Sequence, residues 1–124
     1  MIEKIKEGFI SETLDELNSL EVDLSTEVIA NESDIVIEKV FTAVHKIKGT
    51  APMLGIDGLN MIAHSMEQVY GALRDGNISL THEIVFNTIK LIPALKAELS
   101  INSVNNLDSE DVSKSIRYFD SLIS

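Results

Sequence analysis

The chain contains no cysteine, so neither a disulfide framework nor thiolate chemistry is open to it, which fits a reducing compartment such as the cytoplasm. No run approaches the roughly 18 consecutive apolar residues of a membrane span, and acids stand at Glu3 and Glu7, where a signal peptide would carry its apolar stretch. A soluble cytoplasmic protein is expected. Positive charge is scarce: ten Lys plus Arg face twenty Asp plus Glu, a formal charge of −10. Such a balance repels phosphate backbones and anionic lipid, and argues against nucleic-acid and membrane partners. No segment of useful length alternates with period two, so a sheet has no support. A Gly-rich phosphate loop, nucleotide-binding motifs and any Ser/His/Asp or Cys/His constellation are also missing, which removes the machinery of a kinase or a hydrolase.

What is present is enough for one ordinary domain. The chain has 124 residues, 44% hydrophobic and 24% charged, near the globular average and long enough to bury a core without metal or disulfide support. A single domain over 1–124 is expected, with no internal repeat and no implied cofactor. Ile2, Ile5, Phe9, Leu14, Leu17 and Leu20 predict a first helix from residue 2 to about 21, and the polar stretch Asp23 to Ser33 reads as a loop. Ser33 or Asp34 can cap a second helix carrying Ile37, Val40, Phe41, Val44, Ile47 and Ala51, which Pro52 and Gly55 end or kink. Leu59, Ile62, Met66, Val69, Tyr70 and Leu73 predict a third from about Asp57 to Asp75, with Gly76 after its end. Thr81 can cap a fourth through Ile84, Val85, Ile89, Ile92, Leu95 and Leu99, bent near Pro93. Asp108 or Ser109 opens a short fifth with Val112, Ile116, Phe119 and Ile123. Short loops favour antiparallel neighbours. The expected fold is all-α, an antiparallel up-down four-helix bundle with an additional short C-terminal helix packed beside it.

The richest segment is His45-Lys-Ile-Lys48-Gly49-Thr-Ala-Pro-Met-Leu-Gly55. At i, i+3 and i+4 on a helix, His45, Lys48 and Gly49 share a face. At roughly 100° per residue His45 falls about 110° from the centre of the apolar stripe, on its shoulder. A nucleophilic imidazole, a cation one turn away and a missing side chain beside them suit a group that accepts a phosphoryl moiety from a bulky partner. Glycine costs about 1 kcal/mol relative to alanine in a helix interior, so Gly49 points to a reason other than local stability. Thr42, also small, leaves further clearance. No acid lies between Glu38 and Asp57, whereas Lys39, Lys46 and Lys48 do, which reads as a basic island around His45.

On the third helix His64 and Glu67 share a face at i and i+3 and can meet His45 across the bundle. A carboxylate that accepts the Nδ1 proton fixes the tautomer and leaves Nε2 as the free lone pair. Glu67 is the candidate for that role. Lys48 can meet the oxygens of a transferred phosphoryl group, or simply cover the flank of the apolar stripe with its stem. His64 suits packing near the site as well as any chemistry, and His82 reads as a surface residue.

The pattern His45-x-x-Lys48-Gly49-x-Ala51-x-x-Leu54-Gly55, followed by His64-x-x-Glu67, Leu73-Arg74-x-Gly76 and Leu80-Thr81, resembles the histidine-containing phosphotransfer (HPt) domains. Within that family it is most similar to the phosphotransfer domains of CheA-type chemotaxis histidine kinases, well over residues 36 to 99 and more loosely over the first helix. The resemblance implies a bundle of four helices with an optional fifth, and phosphorylation of His45 on Nε2. It also implies exchange with the aspartate of a response-regulator receiver domain. Glu67 matches the acid that bonds Nδ1, Lys48 the nearby cation and His64 the neighbouring histidine. Two residues depart from the family pattern: Lys46 replaces a small hydroxyl residue, and Pro52 replaces a small residue.

The expectation is therefore a phosphoryl carrier in two-component signalling, a monomer and not itself an enzyme. Its donor is a histidine kinase, hybrid or CheA-type, and its partner a receiver docking over Thr42, Lys46, Gly49 and Pro52. Two other classes are open: a metal-binding bundle using His45, His64 and Glu67, and a phosphorylation-independent adaptor.

Overall fold

Phe9, Thr13, Leu17, Leu20 and Leu24 recur every three or four residues and are all buried, one stripe along the first helix, α1 (Ile2–Ser25). The computed structural model describes residues 2–25, 29–56, 60–99 and 110–123. Four more helices follow: α2 (Ile29–Thr50), α3 (Asn60–Arg74), α4 (His82–Leu99) and α5 (Glu110–Ile123). No strand occurs among the described residues.

The first two helices are longer than expected. Most of the stretch assigned to a loop, Asp23 to Ser33, is helical, and neither Ser33 nor Asp34 acts as a start, because α2 already runs from Ile29. The residues on either side allow it: between Asp23 and Asp34 there is polarity but neither glycine nor proline, so the helices extend into the stretch from both ends. The end of α2 follows the proline logic. Ala51 N–H still bonds Ile47 O at 2.9 Å, after which Pro52–Leu54 forms a single 3₁₀ turn closed by Gly55 at φ 77°. Pro52 therefore ends the helix rather than kinking it.

Helix α3 buries Ile62, Ala63, Met66, Val69, Tyr70 and Leu73. The expected start at Asp57 and the apolar position Leu59 lie outside the described residues, as do Asp108 and Ser109 ahead of α5. At the C-terminus Gly76, at φ 80°, sends its N–H to Leu73 O at 3.2 Å, and Asn77 sends its own to Ala72 O at 2.9 Å. This paired closure needs a left-handed residue, which is why a glycine stands there. Thr81 caps α4, its Oγ1 accepting from Ile84 N–H at 3.2 Å. Replacing Thr81 by alanine is expected to cost about 1 kcal/mol, seen as a lower urea midpoint with unchanged helical content. Pro93 lies inside α4 on an exposed position.

Three apolar residues expected in stripes are exposed instead: Ile5 (61%), Ile89 and Ile123. Small hydroxyl residues occupy core positions, and those of Ser65, Thr88 and Ser115 are hydrogen-bonded. The Tyr70 hydroxyl donates to Thr88 Oγ1 at 2.6 Å, and Thr88 in turn donates to Ile84 O at 2.7 Å. Ser115 of α5 donates to Asn87 of α4 at 2.8 Å, and Ser65 of α3 donates to Asp120 of α5 at 2.9 Å. Helix α5 thus packs across both α3 and α4, and its Phe119 is fully buried. The fifth helix is a contributor to the core, not an accessory beside a closed one.

Candidate functional site

Helices α2 and α3 make the most extensive pairing in the bundle, and they run antiparallel: Phe41 lies beside Gly71 and Arg74, whereas His45 and Lys48 lie beside Glu67. The burial of Val40, Ala43, Val44 and Ile47 turns the opposite shoulder of α2 outward, and with it His45, whose side chain is 70% exposed. Its Nδ1 lies 2.7 Å from Glu67 Oε2, and Lys48 Nζ donates to the other carboxylate oxygen at 3.0 Å. One acid from α3 therefore serves two residues a turn apart on α2. With Nδ1 donating to the carboxylate, Nε2 carries the lone pair of the neutral ring.

Glu67 is only 16% exposed in its side chain. Burial by itself raises its pKa, but hydrogen bonds from Lys48 and His45, together with their charges, outweigh that and hold the carboxyl below the ordinary value. A carboxylate with a lowered folded value supports the fold above the ordinary Glu range, and loses that contribution only as pH falls through the lowered value. The anchor is intact across the neutral range.

The lysines around His45 do not form a free basic island. Lys39 pairs with Asp23 at 3.0 Å, Lys46 with Glu16 at 3.0 Å, and Lys48 with Glu67. The bond from Glu16 holds the Lys46 ammonium above its usual pKa against the effect of burial, with the charges of Glu16 and Glu12 adding to it. The acids missing from the local sequence are supplied by α1 and α3.

Thr42, Lys46 and Gly49 are exposed on α2, and Pro52 is exposed in the 3₁₀ turn that follows it. Nothing lies within 4 Å of where a Gly49 Cβ would stand. Between α1 and α2 runs a groove of about 740 Å³ whose walls include Leu20, Ile35, Lys39, Thr42, Ala43 and Lys46. His64 is exposed on α3, one turn before Glu67, and is hydrogen-bonded to neither Glu67 nor His45; His82 is exposed at the start of α4. Among the described residues no three His, Asp or Glu side chains are gathered to hold a metal ion, so His45, His64 and Glu67 are not a ligand set.

Two residues the sequence reading left out of the site stand against it. The Phe41 ring stacks on the His45 imidazole, centroids 5.7 Å apart and planes 9° apart, and the Arg74 guanidinium carbon lies 4.1 Å from the Phe41 centroid. The helical period of α2 places Phe41 in the apolar stripe alone. The signal that could have placed it here is its i, i+4 spacing from His45.

Comparison with known proteins gives a family match and relatives among curated proteins. A family model described as the Hpt domain matches residues 4–101. The sensor histidine kinase CheAY of Helicobacter pylori is 25% identical over 129 residues, covering 99% of this chain and 16% of that protein. The chemotaxis protein CheA of Borreliella burgdorferi is 28% identical over 90 residues, covering 73% of this chain and 10% of that protein. The chain thus spans under a fifth of the curated relatives it matches. No solved structure matches it significantly.

Proposed function

Since this chain belongs to the Hpt domain family, we propose that it is a phosphoryl carrier of two-component signalling in which His45 accepts and releases the phosphoryl group through Nε2. The observation that carries this reading is the 2.7 Å contact from His45 Nδ1 to a partly buried, ionised Glu67 on an otherwise exposed ring. In the forward step the Nε2 lone pair forms a bond to phosphorus while the P–O bond to the donor breaks, its electron pair leaving with the donor oxygen. Positive charge develops on the imidazole as this happens, and Glu67 offsets it at Nδ1. Lys48, still half-exposed and already bonded to Glu67, keeps a cation within a turn of the arriving oxygens. Return transfer reverses the step onto the carboxylate of a receiver-domain aspartate.

A carrier of this kind depends on a donor, which we assign to an ATP-using histidine kinase of CheA or hybrid type. The acceptor is a receiver that docks over Thr42, Lys46, Gly49 and Pro52 and uses the groove between α1 and α2. The test is intact-mass spectrometry at neutral or alkaline pH after incubation with a phosphorylated receiver or an ATP-supplied kinase. A gain of one phosphoryl group on His45, lost on acid treatment, is the expected result. An unmodified protein that still binds the receiver would instead identify an adaptor.

Glu67→Ala should slow acceptance without abolishing it. A hydrogen bond to a charged group contributes roughly 1.5–3 kcal/mol, and only its tightening on the way to the transition state affects rate, so a loss of about tenfold is expected. Phosphorylation half-times with a small phosphoryl donor measure it directly, and unchanged kinetics would reduce Glu67 to a structural ion-pair partner.

A further inference from the structure

A single hydrogen bond at Nδ1 does not fix an imidazole. Tethered at Cβ and bonded at Nδ1, the ring can still tilt about the line joining those two atoms, and Nε2 sweeps an arc as it does so. A second constraint has to act on the ring face. We propose that Phe41, held in place by Arg74 and admitted by Gly71, is a positioning residue whose ring face sets the plane of the His45 imidazole. The inference rests on the reading of His45 as the phosphoryl carrier.

The geometry supplies each part. Phe41 sits one turn before His45 on α2, and its ring is within 9° of parallel to the imidazole. The same ring packs against the core from a half-buried position, so it is anchored by more than the histidine. On the α3 side a Cβ on Gly71 would stand 3.4 Å from Phe41 Cε1, the near limit of ordinary contact, so the small residue there lets the ring lie close against the helix. Arg74 places its guanidinium 4.1 Å from the ring centroid and is itself flanked by Glu38 at 4.0 Å and Asp75 at 3.8 Å. The backing is therefore built from two helices, as is the Glu67 contact. In-plane hydrogen bond and out-of-plane stack together leave the ring one orientation.

Plain core packing would explain an apolar residue at position 41 but not the need for a flat one, which makes Phe41→Leu and Phe41→Tyr the informative pair in the full chain. Leucine keeps the apolar contact and loses the flat face; tyrosine keeps both. The readouts are the rate of His45 phosphorylation by a small phosphoramidate donor across its concentration range, and the imidazole ¹⁵N and ring-proton NMR signals of the unmodified protein. For Phe41→Leu the maximal rate should fall roughly threefold to tenfold, the scale of a stacked aromatic pair. The donor concentration at half-maximal rate should hold, and the His45 ring signals should lose their single ordered environment. Phe41→Tyr should match the parent protein. Arg74→Met, at an exposed position where folding is not at stake, should give a smaller loss in the same direction.

A Phe41→Leu protein with parental rate and parental imidazole spectrum would overturn the proposal, and so would a Phe41→Tyr protein as slow as the leucine variant. Should the parent protein itself take no phosphoryl group, the carrier reading fails, and the imidazole spectra of the variants still decide whether Phe41 orders the ring.

Discussion

His45→Gln is expected to reduce phosphoryl acceptance to background while leaving the bundle intact. Glutamine ranks among the better helix formers, and the position is mostly solvent-facing. Lys48 continues to compensate Glu67 when the imidazole is gone, so no acid is left unpaired. A stability change within about 0.5 kcal/mol is therefore expected, the usual range for a surface substitution. Chemistry has no such fallback. His64 and His82 are exposed, but among the described residues neither is hydrogen-bonded to an acid that sets a tautomer as Glu67 does for His45. Intact-mass measurement at alkaline pH, with circular dichroism on the same sample, tests both halves. Label retained on His64 or His82 would move the site.

Gly49→Gln is expected to separate small donors from protein partners. The space around position 49 is open, so a longer side chain is accommodated without disturbing the fold. Alanine there should raise helix propensity by up to about 1 kcal/mol, and thermal stability should hold or increase. A receiver, however, has to bring its aspartate within bonding distance of Nε2 across the face that Gly49 shares with His45. A displacement of about 1 Å between reacting atoms costs on the order of 100-fold in rate. Transfer to or from a receiver should fall by about that factor in Gly49→Gln and less in Gly49→Ala, while a small phosphoramidate donor is nearly unaffected. Rapid-quench exchange with a phosphorylated receiver reads this out. Normal exchange in Gly49→Gln would remove that face of α2 from the docking surface.

Helical period made the bundle legible, because Val40, Val44, Ile47 and Ala51, or Ile62, Met66, Val69 and Leu73, can be buried together only on one face of a helix. The same logic carried His45 to the shoulder of α2 and Glu67 to the facing edge of α3, and the 2.7 Å contact between them follows. Period alone failed where polar and apolar character were misleading. Asp23 to Ser33 is polar yet largely helical, since polarity without glycine or proline does not by itself exclude a helix. Thr13, Thr88 and Ser115 are buried although the apolar stripes do not include them. Thr88 and Ser115 each hydrogen-bond a residue across the core, and Ile5, Ile89 and Ile123 are exposed in the stripes where burial was expected. Partners distant in the chain were the other blind spot. The pairing of Lys39 with Asp23 and of Lys46 with Glu16 depends on the packing of α1 against α2, and no local reading of charge reveals it. Phe41 is hidden for a different reason: it belongs both to the core and to the site, and the apolar stripe alone is enough to explain it.

The place of α5 separates two borders that are easily taken for one. The match to the family model stops at residue 101, whereas the packed core continues through Phe119, which no solvent reaches, and through hydroxyls that tie α5 to both α3 and α4. Shortening the chain to residue 101 would remove the partner of Ser65 and uncover apolar surface on α3, the helix that presents Glu67, so a cut at that border reaches the element that holds His45.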